Sequence, residues 1–358
     1  MGRARARDLG ITIGRLAPGP FNAITDVPGV LVGHRTLSAD TPRVIRTGIT
    51  MIVPRNGAIW TNYAFAGTYS FNGNGEMTGL PWLHESGELG SPIGITNTYS
   101  VGIVRDALIG YAVEHGYSHR FHLPVVSETF DGFLSDIDSF PVTRQHVYEA
   151  LGAAAGGPVP EGNVGGGTGM RCHGFKGGIG TASRVVDVFG KRYTVGVLVQ
   201  ANYGRMQHLR IDGVPVGREI EAAREENEPK GSIIVIAGTD APLIPTQCTR
   251  LARRATVGLA RVGGHGFNSS GDLFLAFATG NELPAPPAGP YSLTMIPHEH
   301  IDPFFEAVAE ATEESIVNAL TAADTMTGLR GTVEALPLDE LRRIMDRHRP
   351  PQPGTVRR

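Results

Sequence analysis

The chain has 358 residues, 41% of them apolar and 19% charged, with a formal net charge of −3. That apolar fraction over this length buries a sizeable core, which excludes disorder and coiled coil, and a near-neutral charge without blocks of like sign leaves no electrostatic footprint for nucleic acid or an anionic membrane surface. Cys172 and Cys248, the two cysteines, stand far apart and outside any Cys-x-x-Cys or Cys/His pattern, so two buried free thiols are expected instead of a disulfide framework or a structural zinc site.

The basic start MGRARARDLG leads into ITIGRLAPGPFN instead of an apolar signal region, and no apolar run approaches the ~18 residues of a membrane span. A soluble, cytoplasmic protein is the expectation. With Gly and Pro spread along the whole length, no linker and no repeat, one catalytic domain over 1–358 is expected. Short β-branched runs closed by Gly, Asn, Asp or Pro predict strands near residues 31 (GVLVGH), 51 (GITMIVP) and 94 (SPIGITN). A helix follows over 100–116, opening at a Ser and closing at a Gly, then a strand near 125 (LPVVSE) and a helix over 143–155. SRVVDVFG and YTVGVLVQAN form a hairpin turning at Phe189-Gly190-Lys191. GSIIVIAGTDAP (231–242) and GDLFLAFATG (271–280) are further strands, separated by an amphipathic helix over 246–261. A helix over 301–323, with Asp302 at its cap and Pro303 at its first position, and another over 338–348 precede a frayed PPQPGTVRR tail. Strands and long helices without regular β-α-β alternation predict α+β layers.

Chemistry concentrates in GGHGFNSSGDLFLAFATG (263–280), where a Gly-, Asn- and Ser-rich stretch meets an apolar strand at Ser269-Ser270-Gly271-Asp272. Two readings stand. One is a flexible loop closed by an ST-turn and a Gly bulge. The other is a self-splitting site, in which a Ser followed by Gly attacks the carbonyl before it by an N→O shift, and hydrolysis of the ester frees an α-amine on that Ser. Such a Ser is nucleophile and base together, because an α-amine with a pKa of about 7.7–8.0 takes the hydroxyl proton near neutral pH without a His.

NSSGDLFLAFATGN, with PGPFNAITDVPGVLVGH (18–34), NGNGEMTGL (72–80), ITNTYSVG (95–102), SETFDG (127–132), GNVGGGTGM (162–170), VLVQANYG (197–204), GSIIVIAGTDAPL (231–243) and ATEESIVNAL (311–320), resembles the family of self-processing L-aminopeptidase/D-amidase-esterases and β-peptidyl aminopeptidases over nearly the whole chain. The resemblance implies a four-layer α-β-β-α sandwich and cleavage of an inactive precursor between Ser269 and Ser270 into chains 1–269 and 270–358. It also implies Ser270 as the N-terminal nucleophile, no cofactor, no metal, and a homo-oligomer, specifically a tetramer. Asn202 matches an oxyanion donor, although an Asn at a strand end before Tyr-Gly is also ordinary turn chemistry. Glu128 matches the carboxylate that holds the substrate's free amine, the alternative being a solvated loop acid. Where family members can carry a Tyr two residues after this Glu as a second oxyanion donor, this chain has Phe130 in the substrate site. Glu313 matches an acid that orients the nucleophile's surroundings, and the Ser some members have two residues earlier is Ala311 here. Glu306, Glu310 and Glu313 fall on one helix face, so one of them points inward; a solvated acidic stripe is the alternative for Glu306 and Glu310.

The Gly162–Gly169 run lacks the Lys-Ser/Thr ending of a phosphate loop and is better read as close backbone packing near the site. His298 and His300, without a third ligand nearby, read as surface or interface residues, not metal ligands. His265 is not assigned as a base, since processing leaves it on the other chain's end. The expectation is a serine aminopeptidase that removes N-terminal residues, L-α, D-α or β, from small peptides, amides or esters through an acyl-enzyme on Ser270. Two alternatives remain. One is an acyltransferase of the ornithine acetyltransferase type, a family that uses Thr where this chain has Ser270, and the other is a processing-defective homologue serving in binding or assembly.

Overall fold

The computed structural model describes residues 3–117, 121–221 and 231–348. In chain order its strands are β1 (Leu31–Ala39), β2 (Ile45–Val53), β3 (Asn62–Gly73), β4 (Glu88–Leu89), β5 (Ile93–Asn97), β6 (Val125–Thr129), β7 (Arg171–Cys172), β8 (Phe175–Lys176), β9 (Gly178–Val188), β10 (Lys191–Asn202), β11 (Ser232–Thr239), β12 (Gly271–Pro284), β13 (Met326–Gly328) and β14 (Gly331–Val333). The helices are α1 (Leu80–Ser86), α2 (Val101–Glu114), α3 (Arg144–Gly152), α4 (Val216–Glu221), α5 (Pro245–Arg261), α6 (Asp302–Ala322) and α7 (Leu338–His348). One sheet has the order β1-β2-β5-β6 and the other β4-β3-β12-β11-β10-β9.

Strand periodicity builds the layers. On β12, Leu273, Leu275 and Phe277 point toward the four-stranded sheet, meeting Ile52, Ile93 and Ile95, while Phe274, Ala276 and Ala278 point the other way, onto Leu251, Ala255 and Val308 of α5 and α6. The outer face of the four-stranded sheet (Ile49, Met51, Val126) is covered by Val104 and Leu108 of α2 and Val147 and Ala150 of α3. The result is the α-β-β-α sandwich expected above. Within it β5 pairs parallel with β6 and β11 with β12, each pair bridged by one helix, α2 or α5. The β9–β10 hairpin turns at Phe189 (φ 55°) and Gly190 (φ 72°), both left-handed, as a two-residue turn between twisted strands requires.

Three findings depart from or complete the sequence expectations. β3, an inner strand of the larger sheet, lies outside the expected strands: its signal is not a β-branched run but aromatic side chains at alternate positions, Tyr63, Phe65, Tyr69 and Phe71, against the α5/α6 layer. The alternation breaks at Gly67, where a Cβ would sit 2.3 Å from the Thr249 backbone nitrogen of α5. Second, the solvated stripe fails for Glu310. Arg184 of β9, itself buried, donates to Glu310 Oε2 at 2.8 Å and Glu314 Oε2 at 2.7 Å, and the backbone N–H groups of Arg15 and Leu16 cover Glu310 from the N-terminal segment. Glu306 alone of the three keeps a surface ion pair, with Arg15. Third, both cysteines are free and buried. The frayed-tail expectation lies outside the described residues, and no described helix is long and apolar enough to cross a membrane.

Candidate active site

Ser270 stands immediately before β12 and is buried. Its N–H donates to Phe267 O at 2.8 Å, closing a turn over 267–270. Asn72, at the end of β3, spends its amide N–H groups on the carbonyls at both ends of that turn, Phe267 and Ser270, the latter at 2.7 Å. The pairing of β3 with β12 shifts register between Asp272 and Leu273, a bulge that re-aims the strand's first residues. Two positions along an extended chain share a side, and Ser270 Oγ donates to Asp272 Oδ1 at 2.6 Å. Burial pushes the Asp272 carboxyl up to about 6, against the lowering effect of the bonds from Ser270 and the Ile233 amide.

Ser269 faces a cavity of about 450 Å³ whose lining includes Asn74, Glu76, Thr98, Glu128, Phe130 and Ser232. Glu128, near the end of β6, is buried there. Its Oε1 accepts from the Glu76 N–H at 3.0 Å and its Oε2 from the Thr98 hydroxyl. Burial raises its pKa above the usual carboxylate value, and no Lys, Arg or His among the described residues pairs with it. A solvated loop acid is therefore not what Glu128 is. Gly75 keeps the cavity open beside it: a Cβ at that position would lie 3.2 Å from both Glu128 Oε1 and Gly271 Cα.

Asn202 ends β10 as expected, but its amide is engaged. Oδ1 accepts from the Arg171 N–H at 2.8 Å, and Nδ2 donates to Phe130 O at 3.0 Å, leaving the second N–H of that NH₂ group for another acceptor. Phe130 lines the cavity and is 43% exposed. Ser269, Ser270, Glu128 and Phe130 are thus gathered at one place, with Asn202 joined to them through the Phe130 carbonyl. Glu313 is not among them in hydrogen-bond contact; it pairs with Arg261 of α5 at 3.3 Å, and burial raises its carboxyl against the charge of that Arg. Asn72, Asn74, Thr98 and Asp272 carried no role in the sequence. Asp272 had the Ser-x-Asp spacing at a strand start as its signal, while Asn72, Asn74 and Thr98 lay inside the NGNGEMTGL and ITNTYSVG stretches with no role assigned, since their contacts with the site are made by tertiary packing.

The louder motifs resolve into packing. The N–H groups of Gly165 and Gly166 are taken by the hydroxyls of Thr36 (2.8 Å) and Thr50 (3.1 Å), so the Gly-rich run is wedged between strands and offers no anion cradle there. His298 accepts from Arg250 at 3.0 Å and His300 packs on Phe189, and among the described residues no group of three side chains is arranged to hold a metal. His265 stacks edge-on against His208, with ring centroids 4.6 Å apart.

Comparison with known proteins decides the family. The model of peptidase family S58 matches residues 22–334. The chain belongs to peptidase family S58. It is 46% identical to the β-peptidyl aminopeptidase of Sphingosinicella microcystinivorans over 96% of this chain and 92% of that one, and 44% identical to its counterpart from Sphingosinicella xenopeptidilytica over 95% and 90%. Among solved structures, the β-aminopeptidase of a Burkholderia species superposes with a TM-score of 0.92 at 50% identity, covering 98% of this chain and all of that one. The L-aminopeptidase D-Ala-esterase/amidase of Ochrobactrum anthropi, a prototype of the serine aminopeptidases with a variant of the Ntn hydrolase fold, superposes with a TM-score of 0.91 at 43% identity, covering 96% and 98%. As a family S58 member the protein is a hydrolase of the aminopeptidase type.

Proposed function

We propose that this S58 peptidase is a self-processing serine aminopeptidase that cuts its own chain between Ser269 and Ser270 and then releases N-terminal residues from small peptides, amides and esters, β-amino acids among them, through an acyl-enzyme on Ser270. One observation carries the reading: a buried carboxylate without a cationic partner, Glu128, lines the same cavity as Ser269. A desolvated carboxylate of this kind is completed by a substrate ammonium, and it sets the reach from the substrate's amine to the bond that is cut. Departure of the Ser269 end on cleavage opens the space between Glu128 and the new N-terminus.

In turnover, the Ser270 hydroxyl attacks the substrate carbonyl and its proton passes to the Ser270 α-amine. The second N–H of Asn202 and backbone N–H groups hold the developing oxyanion. The ammonium returns the proton to the departing amine or alcohol, and water then splits the ester and restores the hydroxyl. The similarity to β-peptidyl aminopeptidases supports β-amino acid substrates, and that to the L-aminopeptidase D-Ala-esterase/amidase supports a wider range.

The test is intact mass with N-terminal sequencing. Wild-type protein separates under denaturing conditions into two chains, the smaller beginning SGDLF. Ser270→Ala stays whole, folded and inactive, since it removes one hydroxyl and no core packing. A Ser270→Ala chain that is still cut and active, with Ser269→Ala neither, moves the nucleophile to Ser269.

A further inference from the structure

The two steps that Ser270 performs need not use the same helpers, because in the uncut chain its α-nitrogen is an amide and cannot act as a base. The uncut structure shows which groups touch the scissile peptide. Asn74 Nδ2 donates to Ser269 O, the carbonyl that is attacked, at 2.9 Å. Asp272 accepts from Ser270 Oγ, the attacking atom, at 2.6 Å. Asn72 and the Asn74 N–H hold the Ser270 carbonyl, so the turn is fixed on both sides of the bond. Asn202, by contrast, is bonded to Phe130 and Arg171.

We infer that self-cleavage has its own catalytic pair, Asp272 as the base and Asn74 as the oxyanion donor, distinct from the α-amine and Asn202 of the mature enzyme. This assignment rests on the self-processing reading above. The Asp272 carboxylate takes the hydroxyl proton as Oγ attacks the Ser269 carbonyl carbon, and Asn74 Nδ2–H stabilises the resulting oxyanion. The C–N bond then breaks, Asp272 delivers the same proton to the departing Ser270 nitrogen, and an ester joins Ser269 to Oγ. Water hydrolyses that ester, giving the Ser269 carboxylate and a free Ser270 with both hydroxyl and amine. Neutral amide bonds break slowly, so both contributions are measurable: a lost oxyanion donor costs on the order of a hundredfold in rate, and a lost base on the order of a hundredfold or more.

The experiment follows pulse-labelled full-length chain in cell-free translation and measures precursor half-life. Asn74→Ala, on an exposed loop, lengthens it at least tenfold, and Asp272→Asn, which keeps a hydrogen-bond acceptor for Ser270 but no base, at least a hundredfold. The wild-type rate falls as pH drops through about 6, where Asp272 is protonated. Tyr203 is charge-coupled to Asp272 and in turn to Cys172 and Glu313, and burial holds Tyr203 and Cys172 protonated throughout this range. A wild-type chain that stays intact removes self-processing itself. A wild-type chain cut at 269–270, with both variants cut as fast, overturns this pair and leaves self-processing standing. Should Asp272→Asn fail to fold, the wild-type profile decides, a rate flat from pH 8 to 5 overturning the role of Asp272.

Discussion

Two sets of buried acids divide the molecule by purpose. Glu310 and Glu314 of α6 meet Arg184, with Arg7 on Glu314 as well, and every carboxylate oxygen in that set has a charged or amide partner. Burial alone raises Glu314, yet the bonds from Arg7 and the charge of Arg184 outweigh it and leave it below the usual range. Glu128 and Asp272 are buried too, but their partners are neutral hydroxyl and N–H groups, and both are raised. Burial is thus shared by both sets, and the presence of a cation separates a fixed strut from a carboxylate left ready for a ligand or a proton.

The largest test of this contrast is Arg184→Met, which strips the cation from the saturated set. Leaving Glu310 and Glu314 buried with one fewer partner costs about 3–5 kcal/mol, read as a lower denaturant midpoint. A loss far below that means water reaches the acids and the contrast is weaker than drawn. Glu128→Gln is the mirror test. It removes a charge that the fold disfavours, since a carboxyl raised in the folded state costs stability once pH exceeds its unfolded value, so the midpoint stays level or rises at neutral pH. Turnover of a free-amine substrate falls about a hundredfold through loss of the charge-assisted bond. On the self-processing reading, self-cleavage stays untouched, because an uncut chain presents no amine to the cavity. Ready hydrolysis of an N-acetylated substrate by the wild-type enzyme would remove the anchor role altogether.

Legibility in the sequence follows the same division. Elements with a dominant local signal were readable: α5 with its basic residues opposite Leu251, Ala255 and Leu259, α6 with Pro303 at its start, and β11 and β12 as unbroken apolar runs. β3 was not, because its aromatic alternation is interrupted by the glycine that lets α5 approach. Ser270, Glu128 and Phe130 were singled out through motif resemblance; Glu128 and Phe130 line one cavity together with Ser269, the neighbour of Ser270. Asn74 and Thr98 lay in motif stretches but drew no role of their own, because each meets the site through one side-chain contact that only the folded chain makes. Glu310 and Glu314 show the opposite limit: helical spacing puts acids on a face, but whether that face meets water depends on a segment some 300 residues away.

A smaller effect is expected from Phe130→Tyr. Phe130 reaches the cavity wall, and the hydroxyl that relatives can carry there is missing. On the proposed mechanism, restoring it adds one donor to an oxyanion assigned to Asn202 and backbone N–H groups, so the gain is a few-fold in kcat and not the full worth of a lone donor. Amide substrates gain more than esters, since their tetrahedral step is the harder one. Equal rates for both would mean that the ring at 130 does not reach the reacting carbonyl.

Smallest of all is Glu306→Gln, chosen because it lies on the same helix as Glu310, one turn away, and differs from it only in surroundings. Its partner Arg15 has a side chain 79% exposed, and Glu306 itself is 31% exposed. The Arg15 bond lowers the Glu306 pKa against a slight burial penalty, so the pair is real, but solvent screens it and two long side chains lose freedom to hold it. No measurable change in denaturation midpoint follows at physiological ionic strength, and none in turnover. The comparison with Glu310→Gln, which takes one of its two carboxylate partners from the fully buried Arg184 and one acceptor oxygen from the Arg15 and Leu16 N–H groups, then makes burial the main variable, because helix and charge type are held the same. Equal destabilisation by the two substitutions would show that the cation, and not its desolvation, sets the strength of these pairs.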